Sequence, residues 1–289
     1  METPILKKPD WIKVRVPSGD TWKHVAEVLG KNRLRTVCDE AHCPNKGECW
    51  GMGTATFMIM GDICTRTCRF CAVTCAGTGR PLEASEGIGI ARAVTELGLR
   101  YVVLTSVDRD DLPDRGAGHF AACIRTIKEQ NPGVKVEALI PDYTAEELPV
   151  ILETKPDVVA HNVETVRSLQ WVRDPRASFD KSLAALRAIK TLASADSGAV
   201  VSKTSFILGF GEQEEELFAA MDEVRAAGAD ILVMGQYLQP TRAELPVVEY
   251  LSPERFRYYE EEARKRGFSA VVASPLARTS YHAMDAAGG

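Results

Sequence analysis

Cys64, Cys68 and Cys71 stand in the run Cys64-Thr-Arg-Thr-Cys68-Arg-Phe-Cys71, three thiols on one short loop. Thiolates so closely spaced can each hold one iron of a cubane iron–sulfur cluster. The fourth iron then lacks a ligand from the loop, whereas electron-transfer clusters usually take four cysteines. An open iron suits catalysis and serves no purpose in pure electron transfer. A second set precedes the first: Cys38-Asp-Glu-Ala-His-Cys43-Pro-Asn-Lys-Gly-Glu-Cys49, ending 15 residues before it. Two sets of three point to two clusters. Zinc is the competing metal, because Cys75 would complete a four-thiolate site with Cys64, Cys68 and Cys71. Zinc sites, however, favour paired CxxC spacings.

Composition narrows the setting of these thiols. The chain has 289 residues and a net charge of −5, within the ordinary globular range. Seven of its eight cysteines lie between Cys38 and Cys75; Cys123 is the eighth. No apolar run reaches the roughly 18 residues of a membrane span. The start, Met-Glu-Thr-Pro-Ile-Leu-Lys-Lys, has no apolar core like that of a signal peptide. The expected location is therefore cytoplasmic, with no membrane attachment. In a reducing cytosol clustered cysteines bind metal rather than pair. The acidic balance argues against a nucleic-acid partner. Residues 1–37 run the other way, with eight Lys/Arg against four acids. That stretch is either a solvated surface or a docking face for an acidic protein.

Something rigid must hold the thiols, and the rest of the chain supplies it. Apolar runs at Phe57–Gly61, Tyr101–Ser106, Val134–Ile140, Asp157–Asn162, Val200–Leu208 and Asp230–Tyr237 read as strands buried on both faces. Amphipathic stretches near 88–98, 118–130, 144–154, 178–194 and 213–228 read as the helices between them. Six strand–helix units make a parallel sheet, too few for a closed eightfold barrel but enough for a partial barrel or an open doubly wound sheet. Either form puts its active face at the C-terminal strand ends. Polar residues gather there: Thr105, Ser106 and Asp108; Glu137; His161 and Asn162; Lys203, Thr204 and Ser205; Gln236 and Tyr237. Residues 1–56 and 238–289 lie outside the alternation and read as extensions packed on the ends. The second of them carries a helix near 253–266 and a short strand at Ala270–Ala273. Cys123, on an apolar helix face, reads as core.

The CxxxCxxC loop, with Phe70 before its last cysteine and a strand before its first, resembles the radical S-adenosylmethionine superfamily. The resemblance implies a partial (β/α)6 barrel over 57–237 and a [4Fe–4S] cluster whose open iron chelates S-adenosylmethionine. The CxxxxCxxxxxC array, followed by Thr56-Phe57-Met58-Ile59-Met60-Gly61 and then the loop, is similar to the lipoyl synthases. Further agreeing blocks are Pro9-Asp10-Trp11, Thr105–Leu112, Ile140-Pro141-Asp142, His161–Val166, Leu208–Glu212 and Gly235–Pro240.

That family resemblance implies an auxiliary [4Fe–4S] cluster on Cys38, Cys43 and Cys49. Its fourth ligand is a serine from an Arg-Ser-Ser-Tyr-x-Ala motif, which here reads Arg278-Thr279-Ser280-Tyr281-His282-Ala283. The role carries to Ser280, with Thr279 as the alternative. The implied reaction is insertion of sulfur at C6 and C8 of a protein-bound octanoyl-lysine. It uses two S-adenosylmethionine per turnover, with the auxiliary cluster as sulfur donor. Implied S-adenosylmethionine contacts are Phe70, Thr105, Ser106, Glu137, Asn162 and Arg173; Arg173 also reads as a surface charge, and His161 as a satisfied core histidine. Implied partners are octanoylated lipoyl carrier domains (2-oxoacid dehydrogenase acyltransferase components and the glycine cleavage carrier protein), a low-potential electron donor and an iron–sulfur carrier protein. The sequence departs from the family pattern at Gly87, Arg115, Ser205, Glu244 and Ser274. A biotin-synthase-like sulfur inserter would share CxxxCxxC but lack the array and the C-terminal motif. A zinc-binding interaction module is the non-catalytic alternative.

Overall fold

A computed structural model describes residues 6–14, 18–52, 55–195, 200–280 and 283. Its first helix, α1 (Asp20–Lys31), buries Val25, Val28 and Leu29 on one side. There follow β1 (Arg35–Thr36), the one-turn α2 (Val37–Glu40) and α3 (Lys46–Gly51). Trp22 on α1 packs on Trp50 of α3, ring centroids 5.5 Å apart. The barrel begins with β2 (Thr56–Ile59). Two short strands, β3 (Ile63–Cys64) and β4 (Thr74–Cys75), pair with each other in parallel and close the cysteine loop at its base.

From there strand and helix alternate: α4 (Glu86–Glu96), β5 (Tyr101–Ser106), α5 (Ala117–Gln130), β6 (Lys135–Leu139), α6 (Leu148–Leu152), β7 (Val158–Ala160), α7 (Phe179–Ala195), β8 (Val201–Leu208), α8 (Glu214–Ala226) and β9 (Ile231–Gln236). A 3-10 helix, Arg167–Val172, interrupts the β7–α7 connection. The chain ends with α9 (Pro253–Lys265) and β10 (Ala270–Ser274). Local chemistry explains the boundaries of α9. Ser252 accepts the Arg255 N–H, Pro253 occupies the first turn where its missing N–H costs nothing, and Arg264 and Lys265 close the carbonyl end.

The sheet runs β1-β2-β5-β6-β7-β8-β9-β10, all parallel except β1, which is antiparallel to β2. It is a partial barrel with helices outside. The expected six strands sit within a residue or two of their expected limits. The short strand expected at Ala270–Ala273 is β10, and it joins the sheet as a seventh parallel strand, a place the sequence did not indicate: it pairs with β9 from Ala270↔Ile231 to Ser274↔Gly235. Each end segment thus adds a strand to the sheet rather than only packing on it. Both pairings join residues far apart in sequence, which local periodicity does not report.

Candidate functional site

One cavity opens at the C-terminal ends of β2, β5, β6 and β7. Cys64, Cys68, Cys71 and Cys75 line it, with Phe70, Thr105, Ser106, Asp108, Asp142, Asn162 and Glu164. Val37 and Ala41 also line it, and they flank Cys38 on and beside α2. The segment that carries the first cysteine array therefore forms part of the wall of the chamber that holds the second.

Backbone bonds fix the cysteine loop. The Thr65 N–H donates to the Asp108 carbonyl at 3.0 Å and the Arg69 N–H to the Val172 carbonyl at 2.8 Å. The Arg66 N–H points at Cys64 Sγ (3.4 Å) and the Asp174 N–H at Cys68 Sγ (3.3 Å). Burial pushes the Cys64 thiol up to about 12, with Asp108 adding to it, and the Cys71 thiol up to about 11; it raises Cys68 as well. Such thiols hold protons at neutral pH until a cation compensates the thiolate, so metal loading and proton release are coupled. Among the described residues, Glu86, His119 and Cys123 bring three ligand atoms within 4.8 Å of one another.

Beneath the loop lies a charged network. Arg66, 5% exposed, grips both oxygens of Asp110 (2.8 and 2.9 Å) and also pairs with Asp142. Arg173 reaches the other side of Asp142 at 2.7 Å. Burial works to raise Asp142, but Arg173 and Arg66 outweigh it and hold the carboxyl below its usual range. Burial and the adjacent Asp142 push Asp108 up to about 6. His161 is buried and lowered by desolvation. Its Nδ1 lies 3.1 Å from the Pro141 carbonyl, so Nδ1 carries the proton and Nε2 accepts from Ser182 Oγ at 2.9 Å. It is a satisfied core histidine.

The N-terminal triad is built differently. Thr36 Oγ1 caps α2 by accepting the Asp39 N–H at 3.2 Å, and the Cys43 N–H returns to the Cys38 carbonyl at 3.1 Å. Burial, then Cys43, pushes Cys38 up to about 11; burial, then Cys38, pushes Cys49 up to about 12. Cys43 adds to the shift of Cys49 as well. The C-terminal segment lies against them. Asn45 Nδ2 donates to the Leu276 carbonyl at 2.6 Å, and the Arg278 guanidinium is within electrostatic reach of Cys43. Gly235 makes the approach possible: a Cβ there would sit 2.0 Å from the Ala277 carbonyl. Tyr281 and His282 lie outside the described residues.

Of the six side chains expected around S-adenosylmethionine, Phe70, Thr105, Ser106, Asn162 and Arg173 line the cavity, and Glu137 does not. Glu137 is fully buried inside the sheet, where its carboxylate accepts from Lys203 Nζ at 3.0 Å and Tyr101 OH at 2.7 Å. Its early register on β6, opposite Val103 and Val158, sets it too far from the strand end. Lys203 is spent in the same contact. Gln236 donates to the Leu208, Tyr237 and Glu249 carbonyls, so it too is structural. Arg173 is no surface charge: its guanidinium is engaged by Asp142, Ser182 and Gln170.

Glu164 joins the site without having been expected there. It lines the cavity, burial pushes it up to about 7, and its Oε2 has no hydrogen-bond partner; Ser106 Oγ, on the same cavity, is also unpartnered. Two buried, unpartnered oxygens on residues that line one cavity fit a ligand bearing hydroxyls and amines. The available signal was Glu164 standing two residues past Asn162 on the same loop.

A family model described as the Radical SAM superfamily matches residues 58–224. The chain is 50% identical over 282 residues to a lipoyl synthase of Thermus thermophilus, covering 96% of this chain and 85% of that protein. It is 49% identical over 280 residues to a lipoyl synthase of Halorhodospira halophila, covering 96% and 83%. Among solved structures, the FeFe-hydrogenase maturase HydG from Carboxydothermus hydrogenoformans superposes with a TM-score of 0.60. That match has 14% identity and covers 80% of this chain and 55% of that one, a likeness of fold.

Proposed function

Since this chain belongs to the lipoyl synthases of the radical SAM superfamily, and so is a sulfur-inserting enzyme, we propose that it inserts sulfur at C6 and C8 of an octanoyl chain carried on a lysine of a carrier domain. The auxiliary [4Fe–4S] cluster is the sulfur donor and is consumed as a substrate. Cys64, Cys68 and Cys71 would hold the other [4Fe–4S] cluster at the cavity that they line. With S-adenosylmethionine, that cluster would supply a hydrogen-abstracting carbon radical, one equivalent for each sulfur.

The chain's own residues orient the reactants and keep water out. Phe70, tilted against Phe210 with ring centroids 6.1 Å apart, offers an aromatic wall for the adenine. Glu164, Ser106 and Asn162 offer polar contacts to the nucleoside. Thr105 donates to the Leu139 carbonyl at 3.0 Å and shapes the strand end beneath it. Arg173, held by Asp142, supplies positive potential on the cavity wall. The apolar side, Val37, Ala41, Met58 and Val107, suits an acyl chain. Cys38, Cys43, Cys49 and Ser280 hold the auxiliary cluster. Ser280 is favoured over Thr279, whose hydroxyl is already engaged by Asn162 and Ser205. A hydroxyl oxygen is a harder ligand than thiolate and leaves iron more readily as the cluster is dismantled.

The observation that carries this reading is the shared chamber: α2 contributes to the wall of the cavity that Cys64, Cys68 and Cys71 line, and the segment leading to Ser280 is bonded to the loop between Cys43 and Cys49. The partners are octanoylated lipoyl carrier domains of 2-oxoacid dehydrogenases and of the glycine cleavage system, a low-potential electron donor and an iron–sulfur carrier protein, in the cytoplasm. The test is anaerobic reconstitution followed by iron and sulfide counts. We expect about eight of each per chain, falling to about four in Cys43→Ala or in Cys68→Ala. Zinc without the brown iron–sulfur absorption would overturn the proposal.

A further inference from the structure

Thr279, one residue before Ser280, is 7% exposed. Its hydroxyl lies 3.0 Å from Asn162 Oδ1 and 3.0 Å from Ser205 Oγ. An amide oxygen only accepts, so Thr279 gives its single proton to Asn162, and Ser205 must donate to Thr279. With its oxygen held, Asn162 has its amide fixed at the wall of the cavity that it lines with Glu164. The result is one directed chain: Ser205 on β8, Thr279 in the C-terminal segment, then Asn162 on the loop after β7. It ends at the cavity wall, where Glu164, whose Oε2 is unpartnered, stands two residues further on. Thr279 and Ser205 are both positions where the sequence departs from the family pattern, and they touch each other.

Thr279 and Ser280 share a peptide unit, so a displacement of one by an ångström or more is felt by the other. Were Ser280 to leave the N-terminal triad, Thr279 would lose its register with Asn162. The Asn162 amide would then be free to turn, and the two residues facing the nucleoside would be less well set for it. We propose that Thr279 is a positioning residue that couples the seating of Ser280 at the N-terminal triad to the affinity of the cavity for S-adenosylmethionine, an inference that rests on the reading given above. The coupling is reciprocal: a filled N-terminal site tightens S-adenosylmethionine, and S-adenosylmethionine helps hold Ser280 in place. As sulfide is spent and Ser280 released, S-adenosylmethionine is released more easily from a chain that has nothing left to donate.

The test uses the full chain, reconstituted anaerobically, with iron counted first and S-adenosylmethionine affinity then measured by equilibrium dialysis. Thr279→Val removes the hydroxyl and keeps the shape. It should weaken binding by about three- to ten-fold, what one neutral hydrogen bond is worth, with iron content unchanged. Thr279→Ser should restore it. In a Cys43→Ala background the affinity should already be low, and Thr279→Val should lower it no further, because the coupling is gone. Equal losses in both backgrounds, or unchanged affinity in Thr279→Val, would overturn the proposal. Ser205→Ala breaks the chain at its other end and should weaken binding in the same direction by less. If Thr279→Val fails to fold, unchanged affinity in Ser205→Ala overturns the idea by itself. A parent protein that binds zinc in place of iron would instead mark the failure of the underlying reading.

Discussion

Asn45, between Cys43 and Cys49, donates a 2.6 Å hydrogen bond to the Leu276 carbonyl, 231 residues further along the chain. Asn45 is 3% exposed, so water cannot readily replace it there. The bond joins the N-terminal array to the segment that leads to Ser280. Asn45→Ala should cost about 1–3 kcal/mol of stability, the penalty for a buried group left unsatisfied. It should also lower auxiliary iron while sparing the Cys64 set. Denaturation curves and iron counts check the two effects separately. Full iron retention in a destabilised variant would show that the contact only supports the fold.

Ser280→Cys replaces a hard oxygen donor with a soft thiolate that holds iron more firmly. Iron content should stay at the parent value. Cleavage of S-adenosylmethionine should persist, while transfer of sulfur to an octanoyl-lysine peptide should fall at least tenfold, roughly the effect of 1.4 kcal/mol on a barrier. Product analysis by mass spectrometry reads both. Undiminished transfer would remove Ser280 from the ligand set.

Glu164 gives a pH signature. Burial raises its carboxyl from 4.5 to about 7. Between those values the folded state holds a proton that the unfolded state has released, so stability falls as pH rises through the window, and the full cost is present above it. Glu164→Gln carries no such charge. The variant should therefore match the parent near pH 4 and exceed it in stability at pH 8, measured on the metal-free protein by urea denaturation. Parallel curves at the two pH values would contradict a buried, unpaired Glu164.

Lys203 and Glu137 form a pair inside the sheet, 1% and 0% exposed, with Nζ 3.0 Å from both carboxylate oxygens. Lys203→Met strands the carboxylate and should cost about 3–5 kcal/mol. Combining it with Glu137→Gln should recover a large part of that loss, because the unpaired charge is then gone. A double-mutant cycle by thermal denaturation measures the recovery. Weak S-adenosylmethionine binding by a well-folded Glu137→Gln variant would restore Glu137 to the site.

The fold was largely legible because strands of the parallel core such as β5, β7 and β9 are short runs rich in Val, Ile and Leu, as strands covered on both faces tend to be. β5 begins and ends where the pattern says, at Tyr101 and Ser106. β10 was visible as a strand, but its partner was not, since pairing with β9 depends on the chain crossing back over Gly235. Glu137 was read as lying inside its strand, as it does, and two residues of register separate it from Leu139 on the cavity wall. Three departures from the family pattern have physical accounts here. Arg115 adopts φ +50°, a conformation that favours glycine, and offsets the strain with a bond to the Asp142 carbonyl at 3.0 Å. Gly87 lies where α4 meets α5, and a Cβ there would come within 3.1 Å of Cys123 Cα. Glu244 accepts the Thr241 N–H at 2.8 Å and closes a turn. Nothing in the structure explains Ser274.

The crossing of the C-terminal segment over β9 also orders how the protein is made. Cys38, Cys43 and Cys49 leave the ribosome early, yet the Leu276 carbonyl and Ser280 follow after more than 200 further residues. At elongation rates of about 5–20 residues per second that gap lasts on the order of 10 seconds or more. Through that interval the N-terminal thiols are made but their site is not. A cell that loads iron here must either shield three bare thiols during synthesis or wait for the finished chain, and the second course makes delivery a step that follows folding.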